Sequence, residues 1–239
     1  MSGALSVIGA AAVMAAGGCA YAALSPESQI FGRTVLAGKD PAQFALTFDD
    51  GPNDAHTPAL LELLRDYQVR ATFFLIGNFV RQRPSLAREI RAAGHLIGNH
   101  TMTHPWLAFE SPRRVREELA ACNAALENAL GEPVHFFRPP HGARRPDVLR
   151  AGRDLGLTPV LWNAMGYDWK PISAEQIAAH LERGIARNRR CKRGSNLLLH
   201  DGGHTAMGVD RSRSIEATRR ILERYPPRPT RYVTVDLWA

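Results

Sequence analysis

The sequence predicts an α/β fold whose strands run parallel in a closed or nearly closed barrel. Short apolar runs rich in β-branched and aromatic residues recur along the chain and predict seven strands. Segments with helical spacing lie between most of these runs, and strands that alternate with helices are typical of a parallel sheet. Seven such units in about 200 residues favour a barrel over the alternative, an open doubly wound sheet.

Each predicted element has a definite place in the chain. The predicted strands are Phe44–Phe48, Thr72–Ile76, His95–Ile97, Val134–Phe137, Pro159–Trp162, Asn196–Leu199 and Tyr232–Val235. The predicted helices are Thr57–Tyr67, Ser85–Ala93, Ser111–Leu130, Pro146–Leu155, Ala174–Ala186 and Arg213–Glu223. Ser111 and Ser173 are suitable N-caps, and Pro112 follows Ser111 at the first helical position.

The chain is predicted to consist of an apolar amino-terminal segment, a linker and one domain. Ala4–Leu24 contains no charged residue, which predicts a signal peptide or an N-terminal membrane anchor over residues 1–24. A buried helix is the remaining alternative, and it is disfavoured because the segment has no polar face. Residues 25–41 mix Pro, Gly and polar residues without a period and predict a linker, followed by the domain at 42–239. We therefore expect an exported protein, in the cell envelope, the periplasm or outside the cell.

Composition limits the classes of partner. The chain has 30 Lys and Arg against 23 Asp and Glu, a formal charge of +7, which favours anionic surroundings. The basic residues are not interleaved with aromatic ones, so we expect no nucleic-acid partner. Cys19, Cys122 and Cys191 lack the CxxC spacing of a thiolate metal site, and glycine-rich phosphate loops are absent. No protein partner is implied.

Polar residues are concentrated where the predicted strands end. Functional groups of barrel enzymes cluster at the carboxyl ends of the strands. Five strands end this way here: Asp49 and Asp50 follow the first, His100 and His104 the third, Arg138 the fourth, Asp168 lies beyond the fifth, and His200 and Asp201 end the sixth. Folding alone does not require so many polar groups at one mouth.

The Asp49-Asp50-Gly51-Pro52 segment has two interpretations. Asp, Gly and Pro all favour reversal, so the segment could be a simple turn. Two carboxylates after a buried strand also permit a division of labour, in which one binds a cation and the other accepts a proton from water.

His100 and His104 are four residues apart, a spacing that lets both imidazoles face one point from a helical turn or a tight loop. No Glu follows His100, so this is not the HExxH arrangement, and a base must come from another segment such as Asp49. The alternative is a pair of unrelated loop histidines.

Together, Asp50, His100 and His104 supply three nitrogen and oxygen ligands and leave a position for water or substrate, as catalytic zinc sites do. We therefore expect one divalent metal ion in a hydrolytic site. Zinc is favoured by this ligand set, while cobalt, nickel or manganese could also bind it.

Five segments, in order, resemble the motifs of the polysaccharide deacetylase family, carbohydrate esterase family 4. They are Thr47-Phe48-Asp49-Asp50-Gly51-Pro52, His100-Thr101-Met102-Thr103-His104, Arg138-Pro139-Pro140-His141-Gly142, Asp168-Trp169 and Leu198-Leu199-His200. The resemblance covers essentially the whole domain after the linker, which would make residues 42–239 the catalytic domain. It implies an α/β fold, a distorted (β/α)7-type barrel with parallel strands.

The resemblance also implies a role for each matching residue. It makes Asp49 the general base and His200 the general acid, and makes Asp50, His100 and His104 the metal ligands. Arg138 would orient and hold ionised Asp49, and Asp168 would pair with His200. The backbone N–H of His141 would stabilise the oxyanion, and Trp169 and Leu198 would line the acetyl pocket unless they are ordinary core residues.

Two positions depart from the family pattern. His141 stands where the family often has Tyr, but the implied role belongs to the backbone. Residues 162–169 keep the Asp168-Trp169 pair and lack an earlier acidic residue that many members have, which affects the contacts around His200.

The resulting hypothesis is a metal-dependent hydrolase that removes acetyl groups from an envelope or extracellular polysaccharide, with N-acetyl favoured over O-acetyl. The expected partners are the glycan and a membrane contacted through the amino-terminal segment. Trp106 could stack on a sugar or pack on the surface. The alternatives are an amidohydrolase for a small molecule and a glycan-binding pseudoenzyme that has lost a catalytic group.

Overall fold

Eight parallel strands form the sheet of the computed structural model, which describes residues 17–239. The strands are β1 (Gln43–Gly51), β2 (Thr72–Leu75), β3 (Leu96–Asn99), β4 (Phe136–Phe137), β5 (Thr158–Pro159), β6 (Ala164–Met165), β7 (Ser195–His200) and β8 (Arg231–Tyr232). Their order in the sheet is β5-β4-β3-β2-β1-β7-β6, and the short β8 pairs with the beginning of β1.

The strand order follows the chain around a barrel that is open at one seam. β6 and β7 are followed by β1 to β5, and no ladder joins β5 to β6 within the described chain. At the seam the Asn196 side chain donates to the Leu161 carbonyl at 2.6 Å, and its backbone N–H donates to Asn163 Oδ1 at 2.8 Å. The predicted distorted barrel of parallel strands is confirmed. The doubly wound alternative is wrong, because that fold reverses its direction of winding within the sheet.

Helices lie between most successive strands, and β5 and β6 follow each other without one. The helices are α1 (Thr57–Asp66), α2 (Gly77–Gln82), α3 (Pro84–Ala92), α4 (Pro112–Leu130), α5 (Pro146–Asp154), α6 (Ala174–Arg190) and α7 (Ser212–Arg224). The predicted caps are confirmed, since Ser111 Oγ accepts from the Arg114 N–H at 3.2 Å and Ser173 forms a capping box with Gln176.

Side chains of β1 alternate between the helix layer and the barrel interior, as the period of two in a strand requires. Phe48 belongs to the main apolar cluster that the helices cover, whereas Ala45 packs in an inner cluster that includes Phe74. By the same alternation Thr47 and Asp49 face the interior, and all of β1 after its first residue is buried. The central strand therefore carries polar side chains into the barrel.

Several element boundaries differ from the prediction. The strand expected over Pro159–Trp162 ends at Pro159, and β6 was not predicted, because the chain crosses the seam between them. The strand expected over Tyr232–Val235 ends at Tyr232 and gives way to a 3-10 turn, Val235–Trp238. Helix α2 was also missed, since it is only six residues long and no side chain caps its first residue.

The segment before the barrel contacts it closely. The Arg144 guanidinium donates to the carbonyls of Ser25 and Ser28 at 2.8 and 2.6 Å, and Val35 forms a parallel bridge with Val160. These contacts involve the segment predicted as a linker. Most of the predicted signal peptide or anchor, residues 1–16, lies outside the described residues. From residue 17 onward, no helix is both long and apolar enough to cross a bilayer.

Gly98 supports the inner layer of the barrel, and its replacement tests this packing. Gly98 lies opposite Phe74 in the β2–β3 ladder, where an added Cβ would stand 2.6 Å from the Phe74 ring and 3.1 Å from the Phe136 carbonyl oxygen. We expect Gly98→Ala to lower the free energy of unfolding by about 1–3 kcal/mol in denaturant titrations, because the ring must move. Glu62→Gln, at an exposed position of α1, is the control and should change it by less than about 0.5 kcal/mol. Equal stability of the two variants would contradict this account.

Candidate active site

Asp49 and Asp50 end the central strand with an irregular backbone. Asp49 is the register partner of Phe74 on β2 and of His200 on β7, and the β1–β2 register shifts between Asp49 and Gly51. Asp50 has a φ of 70°, in the left-handed region that non-glycine residues seldom adopt. Consecutive side chains of a regular strand point to opposite faces. This irregularity interrupts the alternation, and both carboxylates lie beside the same histidine, His100.

The two histidines of the second motif lie on a tight loop after β3. The Thr101 N–H donates to Asn99 Oδ1 at 2.7 Å, and the His104 N–H donates to Thr101 Oγ1 at 3.0 Å. Thr101 and His104 both have positive φ, 68° and 61°. The loop is further held by Glu118 of α4, which accepts from the backbone and the hydroxyl of Thr103. Of the two geometries that the spacing permits, the structure has the loop.

Asp50, His100 and His104 converge as the sequence predicts. Asp50 Oδ1 lies 3.1 Å from His104 Nε2 and 3.4 Å from His100 Nε2, and one ligand atom from each residue lies within 4.8 Å of the others. All three side chains are buried. Asp50 Oδ1 has no hydrogen-bond partner among the described residues, so this buried oxygen lacks the partner such atoms normally have.

The protonation states favoured at Asp50, His100 and His104 suit the binding of a divalent cation. The His100 Nδ1–H donates to the Arg138 carbonyl at 2.8 Å, since a carbonyl can only accept, and this leaves Nε2 free as a ligand. Burial raises the pKa of Asp50, but contacts with histidines, first His100 and His104, outweigh it and hold that pKa well below its usual value. Burial lowers the pKa of His104. An ionised carboxylate and neutral imidazoles are the forms that bind metals, so the residues fit the expected ion.

Arg138 holds Asp49 inside the barrel. Its Nη1 donates to Asp49 Oδ1 at 2.7 Å and to Thr47 Oγ1 at 2.9 Å, and its guanidinium lies 4.3 Å from the centre of the Phe74 ring. Arg138 is fully buried and Asp49 is almost so. The two charges therefore compensate each other away from solvent.

His200 and Asp168 form a second ion pair, and His200 is the register partner of Asp49 on the neighbouring strand. His200 Nδ1 and Asp168 Oδ1 are 2.8 Å apart, the His200 N–H donates to Asp168 Oδ2 at 2.7 Å, and the Ser214 hydroxyl also donates to that oxygen. Burial lowers the pKa of His200, but the Asp168 carboxylate more than offsets this and raises it to about 9. The imidazole is therefore protonated at neutral pH, with Nδ1 occupied by Asp168.

One cavity of about 550 Å³ joins these groups. Its walls include seven of the ten predicted site residues: Asp49, His100, His104, His141, Trp169, Leu198 and His200. Asp50, Arg138 and Asp168 are buried behind them. Trp169 is half exposed at the rim, whereas Leu198 is buried, and the His141 ring stacks on Trp106 with 3.8 Å between ring centres.

Several residues at the site were not predicted. His204 stacks on His104 with ring centres 4.5 Å apart, and Ser214 and Asn196 bond the two ion pairs described above. Asp201 directly follows β7, and its Oδ2 accepts from Thr57 Oγ1 at 2.5 Å, which links the end of β7 to the first residue of α1. Ser214 lies on α7, where no local pattern distinguishes it from other polar helix residues.

Comparison with known proteins gives the same assignment. A family model described as "Polysaccharide deacetylase" matches residues 37–160. A peptidoglycan-N-acetylglucosamine deacetylase of Bacillus cereus is 36% identical over 194 residues, 80% of this chain and 85% of that protein. A chitooligosaccharide deacetylase of Sinorhizobium fredii is 41% identical over 172 residues, 71% of this chain and 77% of that protein. The structure of a family 4 acetyl xylan esterase from Clostridium thermocellum, in complex with a cobalt ion, superposes with a TM-score of 0.71 at 31% identity, covering 82% of this chain and 89% of that one. The chain therefore belongs to the polysaccharide deacetylase family.

Proposed function

We propose that this polysaccharide deacetylase is a metal-dependent hydrolase of N-acetyl groups, with Asp49 as base and His200 as acid. The observation that carries the proposal is the position of these two residues. They are register partners on adjacent strands, and they line one cavity with His100 and His104 of the buried Asp50-His100-His104 group. A base, an acid and a cation site around one cavity are what hydrolysis of an acetamide requires.

Asp50, His100 and His104 would hold the cation. Two imidazoles and one carboxylate favour zinc, and the cobalt in the related esterase structure supports a divalent ion in this family. When bound, the ion would polarise the acetyl carbonyl and make a neighbouring water more acidic.

The protein's own side chains and one backbone N–H carry out the remaining steps. Asp49, held by Arg138, accepts a proton from the attacking water, and the backbone N–H of His141 donates to the carbonyl oxygen as negative charge develops there. His200 then donates its Nε2 proton to the leaving nitrogen. Asp168 keeps His200 protonated and turned so that Nε2 is available, because Nδ1 is already bonded.

Trp169 and Leu198 support a small acetyl pocket. Both residues line the cavity. Leu198 is buried on β7, two residues before His200. The Trp169 and His200 rings are nearly perpendicular, with 5.5 Å between their centres. The methyl of an N-acetyl group lies close to the leaving nitrogen, which His200 is proposed to protonate. An apolar wall beside His200 therefore suits this methyl group.

The substrate we propose is an N-acetylated glycan of the cell envelope or of the extracellular space, and the protein is proposed to be exported. The relatives are named for peptidoglycan and for chitooligosaccharide, which both contain N-acetylglucosamine. O-acetyl groups are a second candidate, since a structural relative is named as an acetyl xylan esterase. The pseudoenzyme alternative is disfavoured because base, acid and the predicted ligands are all present and brought together.

Acetate release from defined glycans tests the activity. We expect the zinc-loaded protein to release acetate from N-acetylglucosamine oligomers or peptidoglycan fragments, and a chelator to stop release until zinc is restored. Acetate is measured enzymatically after incubation with N-acetylated and O-acetylated glycans in parallel. Absence of turnover on every glycan would favour the pseudoenzyme, and turnover on O-acetylated glycans alone would reverse the preferred linkage.

Asp49 and His104 should separate catalysis from metal binding. Asp49→Asn removes the base and should lower kcat by about 100-fold or more, while zinc content measured by atomic absorption stays near one per chain. His104→Ala removes a proposed ligand and should lose both activity and zinc. Substantial activity of Asp49→Asn would show that another group is the base.

The charge of Asp168 should set the titration of His200. Because Asp168 raises the pKa of His200 to about 9, the imidazolium persists through neutral pH and deprotonates as the pH rises through that value. Asp168→Asn should move the His200 titration, followed by NMR, downward from about 9, and the alkaline limb of the rate profile should move with it. Asp210→Asn, an exposed carboxylate paired with His56, is the control and should leave His200 unchanged. An unshifted His200 in Asp168→Asn would contradict the assignment.

A further inference from the structure

A second cavity adjoins the one that contains the proposed catalytic groups. It has a volume of about 520 Å³ and shares Pro26, Trp162 and Met165 with the first cavity. Trp162 is largely buried and forms part of this common wall. A glycan chain that lies across both cavities would therefore pass over the Trp162 side chain, which is part of the wall that the two cavities share.

One face of α6 makes the second cavity strongly basic. Arg183, Arg187 and Arg190 line it, and their spacing of four and three residues places them on one side of the helix. Gly184, between them, lies against β6, where an added Cβ would stand 2.6 Å from the Ala164 Cβ. The missing side chain lets the helix approach the seam of the barrel and keeps the arginines at the edge of the cavity.

Only part of this positive charge is neutralised within the protein. Glu27 is the acidic residue of the cavity, and it pairs with Arg187 at 2.7 Å and with Arg193 at 2.6 Å. Arg183 contacts the His180 ring, and neither Arg183 nor Arg190 has a carboxylate partner in the described part of the chain. Two exposed guanidinium groups therefore face the cavity without a counter-ion.

We propose that this cavity, formed by Arg183, Arg187, Arg190 and the Trp162 wall, is a subsite for carboxylates on the glycan whose acetyl group lies in the first cavity. A guanidinium fork matches a carboxylate in geometry and charge. Because the two cavities share a wall, the ligand is the substrate chain itself, and the protein discriminates in favour of an anionic N-acetylated glycan over a neutral one. The inference rests on the proposed function and specifies its substrate class.

The test compares one glycan in two charge states. Soluble peptidoglycan fragments with free carboxylates, and the same fragments with these carboxylates converted to amides, are assayed for acetate release at low ionic strength. We expect kcat/KM to favour the carboxylate form by about tenfold. The preference should shrink at about 1 M salt, where the Debye length is about 3 Å.

Variants locate the preference. Arg183→Gln combined with Arg190→Gln should abolish the preference by slowing only the carboxylate form. Arg113→Gln combined with Arg219→Gln removes the same charge from α4 and α7, outside the cavity, and should retain it. A wild-type protein without preference, a double cavity variant that keeps it, or equal losses on both forms would each overturn the inference.

Failure of the proposed function and failure of the carboxylate subsite give different results. If no fragment releases acetate, the proposed function fails, and the subsite is then judged by calorimetric binding of the two fragment forms to the wild-type protein. Tighter binding of the carboxylate form that the Arg183 and Arg190 substitutions abolish would support the subsite. Equal binding of both forms would reject it.

Discussion

The ion pair between Arg138 and Asp49 is the constraint around which the site is arranged. A guanidinium without access to water is tolerated only when its charge is compensated and its donors have acceptors. Here the acceptors are Asp49, the Thr47 hydroxyl and the Leu161 carbonyl at the seam. The carbonyl of the same arginine accepts from His100 Nδ1, which fixes the nitrogen that His100 turns toward Asp50. One buried residue therefore positions the proposed base and a proposed metal ligand together.

Backbone strain is concentrated at the same mouth of the barrel. Residues other than glycine with positive φ around the cavity are Asp50, Thr101, His104, His141 and Tyr167. Such conformations each cost about 1–3 kcal/mol and persist only where the surroundings determine them. Here the loops follow strands such as β1, which is buried on both faces. Side-chain acceptors such as Asn99 also bond the backbone N–H groups of the loops. At Asp50 this conformation interrupts the alternation of the strand, so that Asp49 and Asp50 both lie beside His100.

The open seam of the barrel connects the site to the surface that we propose to select the glycan. Because β5 and β6 do not pair, the chain between them crosses the seam and leaves Trp162 as a wall common to two cavities. Helix α6 packs against β6 through Gly184 and brings its arginines to the second cavity. The residues before the barrel complete both cavities through Pro26 and supply Glu27. A closed barrel would have left no such continuation of the active-site cavity.

The fold class, the main strands and the grouping of Asp50, His100 and His104 can be predicted from the sequence alone. Strand period and strand-end position are short-range patterns, and the carboxyl ends of parallel strands meet at one mouth of the barrel. The folded chain was needed to show where the barrel stays open, that β6 and α2 exist, and that Ser214, Asn196 and His204 lie beside the predicted site residues. These residues reach the site from distant segments, and their local sequence resembles that of ordinary polar positions. The alignment of three arginines along a shared wall likewise depends on how α6 packs on the seam, since the charges alone are typical of a solvated helix.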